Sequence, residues 1–194
     1  MEVVYFGAYC FRLRSKNKVL LLAPFSLREK GKRLPKMRAD VVLVDEKGKE
    51  DEWQRISGEP FVAEAPGEYE VDGFSVTALR PKKEDERMIY LVEAEGVKVC
   101  HLGRWSRPVS DRIREELNGV DVLMVAVGEA PAEAAKAVFQ LEPKIVLPMA
   151  YGKDSGLEEF LKEVGGAVRK EKRLKLKRLE EQEEIETVVL EARR

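Results

Sequence analysis

The chain has 194 residues, 44% of them hydrophobic, which is enough to bury a sizeable core, and we expect one domain over 1–194. Charged residues make up 37%, above the usual quarter, but 35 basic residues almost balance 36 acidic ones. A net charge of −1 excludes a global attraction to nucleic acid or an anionic membrane, and no apolar run approaches the length of a membrane span. Richness in Lys, Arg and Glu is typical of heat-adapted proteins, so we expect a thermophilic source.

The first half of the chain is predicted to form mainly strands. Short apolar runs between polar or glycine breaks predict strands over 2–7, 10–15, 18–24 and about 40–45. The segment 25–40 is predicted to be a polar connection. Asp72-Gly73 and Glu95-Gly96 are typical of tight hairpin turns, and they predict strand pairs within 66–80 and 87–103.

Strands and helices alternate in the second half. Buried strands are predicted at 120–128 and 144–152, helices at 110–119, 130–143 and 156–166, and two further short strands near 172–179 and 185–191. Ser110 is the predicted N-cap of the first of these helices. This order of elements predicts an α/β layered fold, with sheets packed together and helices on the outer faces.

Six short motifs carry a family resemblance: GAYCFRL (7–13), ADVVLVD (39–45), APGEYEVDG (65–73), VCHLG (99–103), VDVLMVAVG (120–128) and VLPMAYG (146–152). In their order and spacing they resemble the small bacterial and archaeal metal-dependent hydrolases of the metallo-β-lactamase superfamily. The resemblance covers about 1–192. It implies a four-layer αββα sandwich, with a zinc-dependent active site along one edge between the sheets.

The metal ligands that the resemblance implies are missing from this chain. The family carries a His at the position of Ala8, an Asp that bridges the metals at Arg104 and a His at Ala150. It has another His in the segment equivalent to 78–86, which here contains none. Its His-x-His-x-Asp-His signature aligns with Glu46, Lys47, Gly48, Lys49, Glu50 and Asp51.

The missing residues are of the types that a hydrolytic zinc site requires, and this leads to an expectation about function. A hydrolytic zinc site needs several neutral imidazoles, a carboxylate and an open position for water. The chain has one histidine, His101, which precedes the family's ligand position, and Arg104 would place a cation where the metals lie. We therefore expect no metal and no cofactor. We expect a catalytically degenerate protein that acts as a binding or scaffold protein.

Two groups of polar residues remain candidates for a site. Glu46, Glu50 and Asp51 could hold a hard cation such as Mg²⁺, although the interleaved lysines favour a solvated loop. His101 could act as an acid or base, although a buried histidine hydrogen-bonded within the sheet is the interpretation we favour. Its neighbour Cys100 is not a partner, because adjacent strand residues point to opposite faces.

The segment 103–108 is the most suggestive stretch. Arg104, Trp105 and Arg107 follow a strand end and could bind a phosphate, a carboxylate or a nucleobase. The alternative is that Arg104 fills the former metal space and pairs with Glu46, Glu50 or Asp51. Tyr151 is a further candidate in the same cleft.

Three functions stay open at this point: a metal-free binding protein, a metal-dependent hydrolase of esters or phosphodiesters with a carboxylate-only site, and a sensor of a small anion. We expect a protein partner or a small anionic ligand rather than nucleic acid or a membrane, and self-association stays open. Cys10 and Cys100 form no CxxC pair and no signal peptide is recognised, so we expect a reduced cytoplasmic setting.

Overall fold

The computed structural model describes residues 1–45, 48, 50–82, 87–105, 107–152, 156–180 and 184–193. Its strands are β1 (Glu2–Gly7), β2 (Cys10–Ser15), β3 (Lys18–Leu22), β4 (Met37–Arg38), β5 (Val41–Leu43), β6 (Ile56–Ser57), β7 (Phe61–Ala63), β8 (Gly67–Val71), β9 (Phe74–Leu79), β10 (Ile89–Ala94), β11 (Val97–His101), β12 (Val122–Ala126), β13 (Ile145–Met149), β14 (Ala167–Glu171), β15 (Leu174–Lys175) and β16 (Glu186–Leu190). Its helices are a 3₁₀ helix (Pro24–Lys30), α1 (Glu50–Trp53), α2 (Asp111–Glu116), α3 (Pro131–Leu141) and α4 (Leu157–Val164). Within these ranges no helix is both long and apolar enough to cross a bilayer.

Most strands belong to two mixed sheets. Sheet 1 has the order β15-β1-β2-β3-β5-β7, and sheet 2 has the order β14-β16-β13-β12-β11-β10-β9-β8. In sheet 1, β3, β5 and β7 run parallel. In sheet 2, β11, β12 and β13 run parallel. The carboxyl ends of adjacent parallel strands meet at one edge of a sheet, so the segments that follow these strands gather there.

The two sheets pack face to face around one apolar core, and β12 shows how the layers are built. Val122 and Met124 point into the core between the sheets. Leu123 and Val125 point to the opposite face and pack under α2, α3 and α4. Because both faces of β12 are covered, all five of its residues are buried and the strand is continuously apolar.

The outer layer over sheet 1 is thinner. It consists of the 3₁₀ helix and α1, whose side chains meet where the rings of Phe25 and Trp53 pack edge to face with centroids 4.7 Å apart. The chain therefore has the helix–sheet–sheet–helix order of the predicted αββα sandwich, which is confirmed.

The predicted hairpins and helices are largely confirmed. Both glycine turns have positive φ at their two central residues, with 54° at Asp72 and 54° at Glu95, which is the geometry that matches the twist of paired strands. Ser110 caps α2 by accepting a hydrogen bond from the backbone of Ile113 at 3.4 Å.

Two predictions of local structure were wrong. The supposed polar connection contains the 3₁₀ helix, because Phe25 and Leu27 are buried against sheet 1. The strand predicted near 172–179 is only two residues long, and a preceding strand, β14, was missed. The alternation of Leu174 and Leu176 does follow burial, but only Leu174–Lys175 pairs with β1.

Candidate functional site

The edge where the parallel strands of both sheets end is the candidate site. Four segments contact one another there: the β1–β2 turn, the end of β5, the end of β11 and the residues after β13. Ala150 donates its backbone N–H to the carbonyl of Ala8 at 2.9 Å. His101 joins β11 to the carbonyl of Tyr9 at 2.9 Å. The structure therefore brings together motifs that lie far apart in the sequence.

Ala8 and Ala150 both have left-handed backbone conformations, with φ of 48° and 56°. Such a conformation costs a residue that carries a Cβ atom about 1–2 kcal/mol. It is held in place by Tyr5, whose hydroxyl donates to the carbonyl of Ala8 at 3.0 Å and accepts from the backbone N–H of Ala150 at 3.2 Å. Neither alanine has a side-chain donor atom, so neither side chain can ligate a metal.

Arg104 and Asp45 form the central ion pair of the site. The Nε atom of Arg104 lies 3.7 Å from Oδ2 of Asp45, and only 3% of the Asp45 side chain is exposed. The guanidinium also stacks on the ring of Tyr9, 4.6 Å from its centroid. A cation and a buried carboxylate thus neutralise each other between the β5 and β11 ends.

The negative charge of Asp45 also changes the pKa values of two buried neighbours, Cys10 and Tyr90. Burial raises the pKa of the Cys10 thiol, and the negative charge of Asp45 raises that pKa further. The pKa of the Tyr90 hydroxyl is raised in the same way, first by burial and then by Asp45. Neither group ionises near neutral pH, so neither is prepared to act as a nucleophile.

Tyr90 links the two sheets next to the site. It stands on β10 in sheet 2, and its hydroxyl lies 2.7 Å from the carbonyl of Val44 and 3.1 Å from that of Ala63, both in segments of sheet 1. This contact ties the residue before Asp45, at the end of β5, to sheet 2.

His101 is fully engaged by the fold, with 1% of the residue exposed. The backbone N–H of Gly103 donates to Nδ1 at 3.2 Å, so Nε2 carries the proton and donates to the carbonyl of Tyr9. Burial lowers the pKa of His101 from 6.5 to about 4; the bond to Tyr9 opposes this shift and the charge of Arg104 adds to it. The imidazole is therefore neutral near pH 7 and has no free lone pair for a metal.

Gly103 makes this arrangement possible. Its φ of 58° is left-handed, and a Cβ atom there would lie 2.5 Å from the carbonyl oxygen of Met88. A residue with a side chain would therefore push the turn after β11 away from β10, and with it the N–H that holds Nδ1 of His101.

The remaining candidates are spread over different environments. Trp105 is buried, its Nε1 has no hydrogen-bond partner in the described part of the chain, and the Arg87 guanidinium lies 5.5 Å from its ring centroid. Since only 7% of Trp105 is exposed, its ring cannot stack on a nucleobase. Arg107 is exposed. The Tyr151 hydroxyl donates to the carbonyl of Leu190 at 3.0 Å, which ties the residues after β13 to β16.

The acidic candidates after β5 do not converge on one point in the described structure. Glu50 is exposed at the start of α1, and Asp51 forms an exposed ion pair with Arg33 at 3.5 Å. Glu46 lies outside the described residues. Among the residues that are described, there is no group of three or more His, Cys, Asp or Glu side chains placed to hold a metal ion.

Asp45 and Tyr9 are the site residues that sequence reasoning missed. Asp45 lies directly after the strand and was not among the predicted acidic candidates, which are Glu46, Glu50 and Asp51. The available signal was an acidic residue directly after a buried apolar strand, opposite the position of Arg104. Tyr9 follows Ala8 immediately, but no sequence pattern shows that its ring lies under a guanidinium.

These residues do not fit a hydrolytic zinc centre. Two of the positions that the resemblance assigns to ligands are alanines and a third is an arginine 3.7 Å from a carboxylate. The chain's single histidine uses both ring nitrogens within the fold. The site is a polar edge between two sheets, at which the charges of Arg104 and Asp45 offset each other.

Comparison with known proteins places this fold and edge in a family. The family described as the β-lactamase superfamily domain matches residues 2–150, and the chain belongs to it. A solved structure from Thermotoga maritima, a proposed Zn-dependent hydrolase of the metallo-β-lactamase superfamily, is 27% identical over 97% of both chains with a TM-score of 0.83. The chain is thus a metallo-β-lactamase-fold protein related to proteins described as metal-dependent hydrolases.

Two further relatives differ in how much of the chain they match. A UPF0173 metal-dependent hydrolase of Methanopyrus kandleri is 34% identical over 83 residues, which are 39% of this chain and only 36% of that protein. The metallo-β-lactamase-fold protein YhfI of Bacillus subtilis covers 98% of this chain and 96% of its own with a TM-score of 0.64, but at 10% identity it shows only the shared fold.

Proposed function

We propose that this protein is a superfamily member without a hydrolytic metal centre, and that it acts by binding or as a scaffold rather than by catalysis. The observation that carries the proposal is the Arg104–Asp45 pair. A guanidinium stacked on Tyr9 and 3.7 Å from a buried carboxylate supplies internally the positive charge that a metal supplies in the family pattern.

The chemistry of the site supports the same conclusion. Activation of water for hydrolysis needs a Lewis acid or a general base that is free to accept a proton. His101 is buried and hydrogen-bonded at both nitrogens, and burial raises the pKa of the Cys10 thiol. Among the described residues of this edge, His101 and Tyr5 use their polar atoms to hold the segments together.

The partner that suits this interpretation is a protein or a small anion that meets the strand-end edge. The charge of Arg104 is offset by Asp45, so a strongly charged ligand gains little there. The 24% of the Arg104 side chain that remains exposed, beside Tyr9, offers a contact for a carboxylate or a protein surface.

Metal content tests the proposal directly. Untagged protein, purified without chelator and then incubated with Zn²⁺, Mn²⁺ or Mg²⁺ and desalted, is expected to carry far less than one metal ion per chain by elemental mass spectrometry. It is expected to hydrolyse neither p-nitrophenyl acetate nor bis(p-nitrophenyl) phosphate above the background rate.

One stoichiometric ion together with metal-dependent hydrolysis would overturn the proposal in favour of the carboxylate-only site. Glu50→Gln and Asp51→Asn would then each remove the ion. Glu68→Gln, on exposed β8 in sheet 2, is the matched control that should leave the metal content unchanged.

A further inference from the structure

A second charged feature lies away from the strand-end edge, on the outer face of sheet 1. It is a groove of about 550 Å³, which we call the basic groove, lined by Glu2, Val4, Arg12, Arg14, Lys172, Arg173, Glu191, Ala192 and Arg193. Its floor comes from β1 and β2, whose alternate residues Val3 and Leu13 point the other way into the core between the sheets.

Two segments that are distant in the sequence from this floor build its walls. Lys172 and Arg173 belong to the connection between β14 and β15. The segment that carries Arg193 follows β16 and is fixed against β1, because the backbone N–H of Arg193 donates to the carbonyl of Tyr5 at 2.8 Å. The sequence RKEKRLKLKR at 169–178 is strongly basic, but it does not by itself predict the groove, because the groove also needs β1, β2 and the segment after β16 to pack beside it.

The charge inside the basic groove is strongly unbalanced. Five of its lining residues are basic and two are acidic, in a chain whose overall net charge is −1. The Glu2 carboxylate is shared by Arg12 at 3.1 Å and Arg173 at 3.3 Å. Three cations, Arg14, Lys172 and Arg193, have no ion-pair partner in the described part of the structure. Basic and acidic residues almost balance over the whole chain, so the excess of basic residues in this groove favours the binding of an anion.

We propose that the basic groove binds a small molecule that carries two or more phosphate groups. Guanidinium groups match the oxygen geometry of phosphate through paired hydrogen bonds, and four of the five cations are arginines. The volume lies within the range of ordinary small-ligand sites. Glu2 holds Arg12 and Arg173 in place beforehand, which reduces the entropy lost when a ligand binds. This proposal does not depend on whether the strand-end edge binds a metal or a partner.

Titration calorimetry with inorganic tripolyphosphate in 50 mM salt tests this. The wild-type protein is expected to bind one molecule per chain, and 300 mM salt should weaken the binding. The double variant Arg14→Gln/Arg193→Gln should raise Kd by roughly tenfold or more, because each arginine contributes charge-assisted hydrogen bonds. Arg14→Lys/Arg193→Lys should recover part of the affinity.

Arg114→Gln is the matched control, since Arg114 is an exposed arginine on α2, over the outer face of sheet 2. Thermal unfolding checks that all variants fold. The proposal is overturned if tripolyphosphate shows no saturable binding, or if Arg114→Gln weakens binding as much as the groove variants do. It is also overturned if a 12-nucleotide single-stranded DNA binds at the groove while tripolyphosphate does not, because the site would then serve a polymer.

Discussion

Replacing Arg104 with methionine is expected to destabilise the fold by about 3 kcal/mol, because it removes a cation that neutralises the buried Asp45 carboxylate. Nε of Arg104 and Oδ2 of Asp45 are 3.7 Å apart, and the Asp45 side chain is 3% exposed. At an effective dielectric constant of about 20, unit charges at this separation attract by roughly 4 kcal/mol. Loss of one partner of a buried pair costs about 3–5 kcal/mol. The lower end applies here, since 24% of the Arg104 side chain is exposed to screening water.

Urea unfolding at pH 7 measures this loss, and thermal unfolding should show a melting temperature lower by about 6–12 °C. Arg33→Met is a matched control. Arg33 pairs with Asp51 at 3.5 Å, but the two side chains are 70% and 54% exposed, so this change should cost less than about 1 kcal/mol.

A double variant separates the contribution of the ion pair to stability from the contribution of side-chain packing. In Arg104→Met/Asp45→Asn neither charge remains, so most of the lost stability should return, with a coupling energy of about 2 kcal/mol in the double-mutant cycle. The reasoning is refuted if Arg104→Met costs no more than Arg33→Met, or if the two changes at the site simply add. Either result would mean that Asp45 does not depend on Arg104.

Two further predictions concern buried polar groups at the same edge. The folded-state pKa of His101 is about 4 against an ordinary 6.5, so only the unfolded chain takes up this proton between those values. Stability is therefore complete above pH 6.5 and falls by roughly 3 kcal/mol as the pH drops to 4. NMR of the single imidazole should show no titration above pH 5, and a midpoint near 6.5 would contradict the burial. Tyr90→Phe should cost about 1–3 kcal/mol in urea unfolding, because the Val44 carbonyl loses its donor. Tyr69→Phe, which removes an exposed hydroxyl bonded to Ala65, should cost much less; equal losses would refute a role for Tyr90.

The α/β layered order of the elements could be predicted from the sequence because its signals are local, whereas the four-layer sandwich was implied by the family resemblance. Alternating apolar residues, two glycine hairpins and the Ser110 cap each depend on a few neighbouring residues. The errors occurred where tertiary contacts decide. Phe25 and Leu27 sit in a polar segment, and they form a helical turn only because sheet 1 offers an apolar face to cover.

The candidate site was harder to predict, because the absence of a residue that the resemblance implies does not reveal which contacts form at its position. The resemblance places Arg104 where the family has a metal ligand, and the sequence suggested an acidic partner for it. The partner found is Asp45, at the end of a strand, rather than Glu50 or Asp51, which belong to an exposed turn of helix. Which carboxylate meets a guanidinium depends on the path of the chain after β5, where Tyr90 of the other sheet donates a hydrogen bond to the Val44 carbonyl.

Two alanines occupy positions at which the resemblance implies metal ligands, and both have an unfavourable backbone conformation. A left-handed backbone is unfavourable for alanine, and glycine would avoid the cost at Ala8 and Ala150. The conformation persists because the hydroxyl of Tyr5 bonds to both alanines and Ala150 bonds to Ala8. These hydrogen bonds stabilise the shape of the edge from within the chain. Tyr5, Tyr90 and the Arg104–Asp45 pair hold it with contacts internal to the chain, which is the property that a rigid binding surface needs.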